Sequence, residues 1–174
     1  MKNLFYLFVG SLLLIACNKA DNNHNGNDLS SKNAARMQEF YDQVMNAHNT
    51  AMVDSFCTSD FKDHQADPRY PAGVPGLKAT MADYFAAFPD LHVKTNFTKA
   101  WGDTVMSHIT MTGTQSGPMM GMPASNKQMN IDGIDIVIIK DGKATEHWGY
   151  QEESKMMMQL GMMGGGMADS SMKK

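Results

Sequence analysis

The spacing of apolar positions changes period once along the chain, and the change divides the domain in two. Met37, Phe40, Tyr41 and Val44 recur at i, i+3, i+4 and i+7, the spacing of one helical face, with Ser30 or Ser31 placed to cap it. This predicts a helix over 33–47 and a shorter helical piece over 50–57. DFKDH at 60–64 reads as a brief extended segment entering a loop, because QADPRYPAGVPG carries three prolines and two glycines. Leu77, Met81, Tyr84, Phe85 and Phe88 repeat the helical face until Pro89 stops it.

From Asp90 the period is two. Leu91, Val93 and Phe97 alternate with His92, Lys94, Asn96 and Thr98, WGD at 101–103 makes a turn, and TVMSHITMTGT (104–114) is a β-branched strand. A loop rich in Gly, Pro and Met follows at 116–127. MNIDGIDIVIIK (129–140) is a further strand, Asp141-Gly142 a hairpin turn, and KATEHWGYQ its antiparallel partner. SKMMMQLGMM reads as a short helix before a Gly-rich tail. Helices followed by consecutive antiparallel strands is an α+β order. A strongly curved, mainly antiparallel sheet wrapped around the helices buries both helix faces and leaves a cavity between the layers.

The N-terminus changes the picture of where the chain acts. One Lys, an apolar run from Leu4 to Ala16 and then Cys17 have the layout of a secretory signal, and the run is shorter than the roughly 20 residues that span a bilayer. Leu14-Ile15-Ala16-Cys17 resembles the lipobox of bacterial lipoproteins, so residues 1–16 are expected to be a leader and Cys17 the lipidated first mature residue. This implies a membrane-anchored protein of the bacterial cell envelope; an ordinary signal peptide containing a cysteine is the alternative. DNNHNGNDLSS, within 17–31, reads as a solvated tether. Residues 32–163 form one domain and 164–174 a Gly/Met-rich tail without order.

Charge excludes one class of partner. With residues 1–16 gone, 14 basic residues face 18 acidic ones, so nothing attracts nucleic acid. Only Cys57 remains once Cys17 is lipidated, which leaves no intrachain disulfide; in DSFCTSDF it reads as a packing residue.

Several motifs then point to a family. FPDLHV, the WGD turn, MTGTQSGPMMGMPASNKQM, GIDIVIIKDGKATEHW and QLG occur in order, preceded by DFKDH and PAGVPGL. Together they resemble the polyketide-cyclase-like (SnoaL-like) or "ester cyclase" family of the nuclear-transport-factor-2-like superfamily, over roughly residues 33–163. The resemblance implies a cone-shaped α+β barrel with a pocket at its wide end and frequent homodimers. It also implies intramolecular aldol ring closure without a cofactor, an aspartate serving as acid and base.

At the matched cyclase positions the chain departs from the family. The catalytic aspartate falls on Gly149, a pocket histidine on Asp135, a pocket asparagine on Asp63, and Gln115 stands where many members have a histidine. If position 149 faces the cavity, strand parity turns His147 and Gln151 the same way and Glu146, Trp148 and Tyr150 the other. A bulge at Gly149 would break that parity.

The expected catalytic constellation is therefore Asp63, His64, Asp135 and His147, carboxylates beside imidazoles as proton abstraction next to a carbonyl requires. Tyr84, Gln115, Met120, Met122 and Gln151 are expected to line the site around a small apolar molecule. The same four residues also form a conceivable metal ligand set, but no HxxxH or HxH spacing supports one. The bland alternative is a set of buried polar groups satisfying one another. Function is left between a cofactor-independent cyclase or isomerase and a non-catalytic binding protein using the same cone.

Eighteen methionines, seven of them within 156–172, raise Cu(I) binding against the simpler role of flexible core. The outer sheet face, with Ile134, Ile136, Ile138 and Trp148, is the expected homodimer surface.

Overall fold

The computed structural model describes residues 23–162. Residues 1–16, expected to be a leader, Cys17, expected to be lipidated, and residues 164–174, expected to be a tail, lie outside them.

Helix α1 (Asn23–Phe40) continues without a break into a π-helical turn, Tyr41–Met45, then comes a 3-10 turn at Thr50–Met52 and α2 (Val53–Phe56). β1 (Cys57–Asp63) precedes the proline-rich loop, α3 (Val74–Ala87) follows it, and the meander β2 (His92–Trp101), β3 (Thr104–Thr114), β4 (Gln128–Lys140) and β5 (Lys143–Gln151) comes next, closed by α4 (Glu153–Leu160). The five strands form one sheet in the order β1-β5-β4-β3-β2, antiparallel except for the parallel pair β1–β5. This is the expected α+β architecture.

Burial explains the elements. Met37, Tyr41 and Val44 are buried on α1 and its π turn, as the helical spacing predicts. On β3 the inward row Val105, Ser107, Ile109, Met111 and Gly113 is buried, and every intervening residue is half-exposed. These rows meet Ile131, Val137 and Ile139 of β4 in the principal core, which Met156 and Leu160 of α4 seal from one end. A second cluster gathers Val53, Phe56, Cys57, Phe61 and Met81 under α3. Helix α3 comes so close to the loop before it that a Cβ on Gly76 would overlap the Pro71 carbonyl.

Two differences from the sequence reading have local causes. The first helix begins ten residues earlier than the spacing suggested, inside the stretch read as tether. Ser30 is not an N-cap; its hydroxyl accepts a hydrogen bond from Gly102 N–H at 2.9 Å, tying the helix to the β2–β3 turn. Asn33 reinforces that tie by donating to the carbonyls of Gly102 and Ile139. The second difference is in the methionines of α4. Met156 is buried and Met162 packs against the core, but Met158, expected in the core as well, is 60% exposed, because the helix turns that position outward.

Candidate functional site

Strand register builds the site. On β5, His147 lies opposite Val137 of β4 and beside Asp63 of β1, while Gly149 lies opposite Asp135. The β4–β5 ladder is regular there; its irregularity falls between Ile138 and Ile139, at the turn end. Asp63, Asp135, His147, Gly149 and Gln151 therefore face one cavity, the parity the sequence predicts. From the helical layer, the Tyr41 side chain comes down onto the same wall.

The polar groups form a continuous chain. His147 Nδ1 lies 3.1 Å from Asp63 Oδ1, and its Nε2 lies 3.3 Å from Asp135 Oδ1. The Tyr41 hydroxyl donates to Asp135 Oδ2 at 2.7 Å and is itself hydrogen-bonded to Ser107. Gln65 N–H donates to Asp63 Oδ1 at 3.0 Å. Both oxygens of Asp135 are thus engaged, whereas Asp63 keeps Oδ2 without a described partner.

The electrostatics follow from that geometry. Burial works against charge on His147, but its hydrogen bonds to Asp135 and Asp63, together with their negative charges, outweigh it and raise the imidazole to about 9. Burial likewise opposes ionisation of Asp63, and the bonds and charge of His147 outweigh it, holding the carboxyl below its ordinary value. The Tyr41 hydroxyl is pushed well above 10.0, first by burial and then by the Asp135 charge. At neutral pH His147 therefore keeps its proton, held between Asp63 and Asp135. Its N···O distances of 3.1 and 3.3 Å are longer than the 2.7–2.9 Å typical of charge-assisted bonds.

The remaining walls are apolar. Met37, Phe40, Phe61, Met81, Ile109 and Met111 are among the residues enclosing a cavity of about 180 Å³. Cys57 also borders it, and burial pushes its thiol up to about 11, consistent with packing rather than nucleophilic use. Beyond Tyr84, Gly149 and Gln151 the cavity opens into a wider groove of about 630 Å³, edged by Asp67, Arg69 and Glu153. Among the described residues, no group of three or more His, Cys, Asp and Glu side chains is arranged to hold a metal ion.

The structure brings together Asp63, Asp135 and His147, with Tyr84 and Gln151 at the mouth, where the Tyr84 hydroxyl lies 3.4 Å from Gln151 Oε1. It separates the others. His64 is turned away: it stands just past the end of β1, with its ring on the opposite face, stacked on Trp148 at 4.1 Å and bonded to Glu146 at 2.8 Å. Gln115 is fully buried and serves the loop after β3, bonding Gly117 O, Pro123 O and Ser125 N. Met120 sits 57% exposed on the rim of the outer groove, and Met122 borders neither space, because residues 119–122 close a tight turn through paired backbone bonds. Tyr41 is the functional group the sequence reading missed; its place in a helical apolar stripe concealed the hydroxyl.

A bent sheet folded over helices, with ionisable groups on one wall of an apolar cavity, has the architecture of the nuclear-transport-factor-2-like class. The family model of SnoaL-like polyketide cyclases matches residues 35–160, and the chain belongs to that family. Among solved structures it is similar to a Bacillus cereus protein provisionally described as a polyketide cyclase, at 26% identity and TM-score 0.66, over 76% of this chain and 82% of that one. It has the fold of a provisionally described SnoaL-like polyketide cyclase from Jannaschia, at 21% identity and TM-score 0.68, covering 76% and 93%. It also has the fold of an epoxide hydrolase of Mycobacterium tuberculosis, at 12% identity and TM-score 0.57, covering 76% and 92%. No curated protein sequence matches it.

Proposed function

We propose that the cavity is the active site of a cofactor-independent cyclase or isomerase that moves protons on a small, mostly apolar carbonyl compound. The single observation that carries this reading is the clamped histidine: His147 within hydrogen-bonding distance of both Asp63 and Asp135 on a wall of a mostly apolar cavity. Ionisable groups are costly to bury, and three of them meet here beside an apolar cavity, where perturbed groups mark candidate functional sites.

The roles follow from which atoms are available. Asp63, with Oδ2 uncommitted and bordering both the cavity and the outer groove, takes the proton from the carbon next to the carbonyl. His147, charged but with both ring nitrogens held by carboxylates, stabilises the negative charge that develops on the carbonyl oxygen through its positive charge and not through a free N–H. Asp135, fixed by Tyr41, orients the ring and balances its charge.

One observation favours a second reading, a binding protein without chemistry: the position matched to the family's catalytic aspartate is Gly149. The two readings separate on the compound that co-purifies with the chain, identified by mass spectrometry. As an enzyme the wild type converts it, and Asp63→Asn and His147→Ala retain binding but lose conversion. If the wild type never converts it and both variants bind it as well as the wild type does, the enzyme reading is wrong.

Two further features belong to the same proposal. Lipidation of Cys17 would hold the domain at the cell envelope. A second copy would cover the outer sheet face, where Ile134, Ile136 and Trp148 are half-buried and Phe97, Trp101 and Tyr150 are exposed.

A further inference from the structure

Gly149 is unexplained by its backbone. It lies in a regular stretch of β5, its φ is outside the left-handed region, and glycine inside a strand forfeits both order and packing. The space above it supplies the reason. A Cβ on residue 149 would stand 2.9 Å from His147 Cε1, 3.1 Å from His147 Nε2 and 3.4 Å from Asp135 Oδ1.

His147 is directly opposite Val137, so to reach Asp135 its ring must cross diagonally, over residue 149. The side chain missing from position 149 is the volume through which that hydrogen bond passes. Any side chain there, a carboxylate included, would displace the ring from Asp135.

We infer that Gly149 is a positioning residue for His147: the side chain missing at residue 149 leaves the space in which the ring spans Asp63 and Asp135. The inference rests on the reading of this wall as the working site, but its test observes His147 itself and not turnover, so either can fail alone.

The test is a pH titration of the His147 ring by NMR on the full chain, its signal assigned by its absence in His147→Gln. Gly149→Ala is expected to lower the midpoint by at least about one pH unit, the loss of one of two carboxylate partners. Gly133→Ala serves as control: it crowds Tyr150 O at 3.2 Å and Ile109 and does not touch His147. That variant is expected to lower stability and leave the midpoint unchanged. An unchanged midpoint in Gly149→Ala, or an equal shift in Gly133→Ala, overturns the inference.

A second arm covers poor folding of Gly149→Ala. Introduced into His147→Ala, where the ring is gone, the same substitution is expected to lose most of its cost in denaturant midpoint. Equal cost in both backgrounds also overturns the inference.

Discussion

Raising the pH from 6.5 to 9 is expected to cost the fold about 3 kcal/mol, and to cost the His147→Gln variant almost nothing over the same range. The imidazole moves from 6.5 when free to about 9 in the folded chain, and each pH unit of such a shift is worth about 1.4 kcal/mol. The sign follows from proton counting. Between 6.5 and 9 the folded state holds one proton more than the unfolded chain, so the stabilisation is complete below 6.5 and disappears as the pH rises through 9. Asp63 acts at the other end: its depressed carboxyl contributes above the free aspartate value of 3.8, and the contribution is lost as the pH falls through the folded value. Cys57, raised from 9.0 to about 11, adds a separate loss only above 9, so the window belongs to His147. Urea unfolding at half-unit steps, with the m-value constant, measures the slope directly. A flat wild-type profile between 6.5 and 9, or an equal slope in His147→Gln, would show that the ring does not hold its proton between the two carboxylates.

Smaller perturbations test the neighbouring assignments. Tyr41→Phe removes the donor to a mostly buried carboxylate and is expected to cost about 1.5–3 kcal/mol in denaturant stability, with a change in the His147 titration midpoint. Gln115→Ala breaks three bonds of a fully buried amide and should destabilise by about 2–3 kcal/mol without altering ligand affinity, which equilibrium dialysis of the co-purified compound can measure. His64→Ala, on the opposite face, should leave affinity unchanged and cost at most about 1 kcal/mol, since its bond to Glu146 is solvent-exposed. A loss of affinity in His64→Ala would put that residue back among the site residues.

Patterning exposed much of this fold because half-buried strands and helices have distinct periods. The inward row of β3 follows from alternation alone; the Asp135–Gly149 face of the hairpin follows from alternation once the resemblance sets the direction of position 149, and Asp63 joins it through the matched family segment. What alternation left out depended on contacts between distant elements. Tyr41 occupies a core position on its helix, and only the approach of that helix to β4 makes its hydroxyl an Asp135 partner. The first helix extends backward because Ser30 finds Gly102 some 72 residues away, which no local propensity signals. His64 was a lapse of a different kind: applying to residues 63 and 64 the parity used for β5 separates them, and the ring does point away. Gly149 stood out in the sequence as a missing base; its structural meaning is the space it leaves for His147.

The most direct measurement is deuterium incorporation into the pocket's own compound. That compound, extracted from the purified chain and returned to it in D₂O, is followed by mass spectrometry for exchange at the carbon beside its carbonyl. Acid–base chemistry at Asp63 and His147 predicts deuterium uptake with the wild type and none with Asp63→Asn. A compound that binds the wild type yet gains no deuterium would contradict the account and leave the cone a binding site.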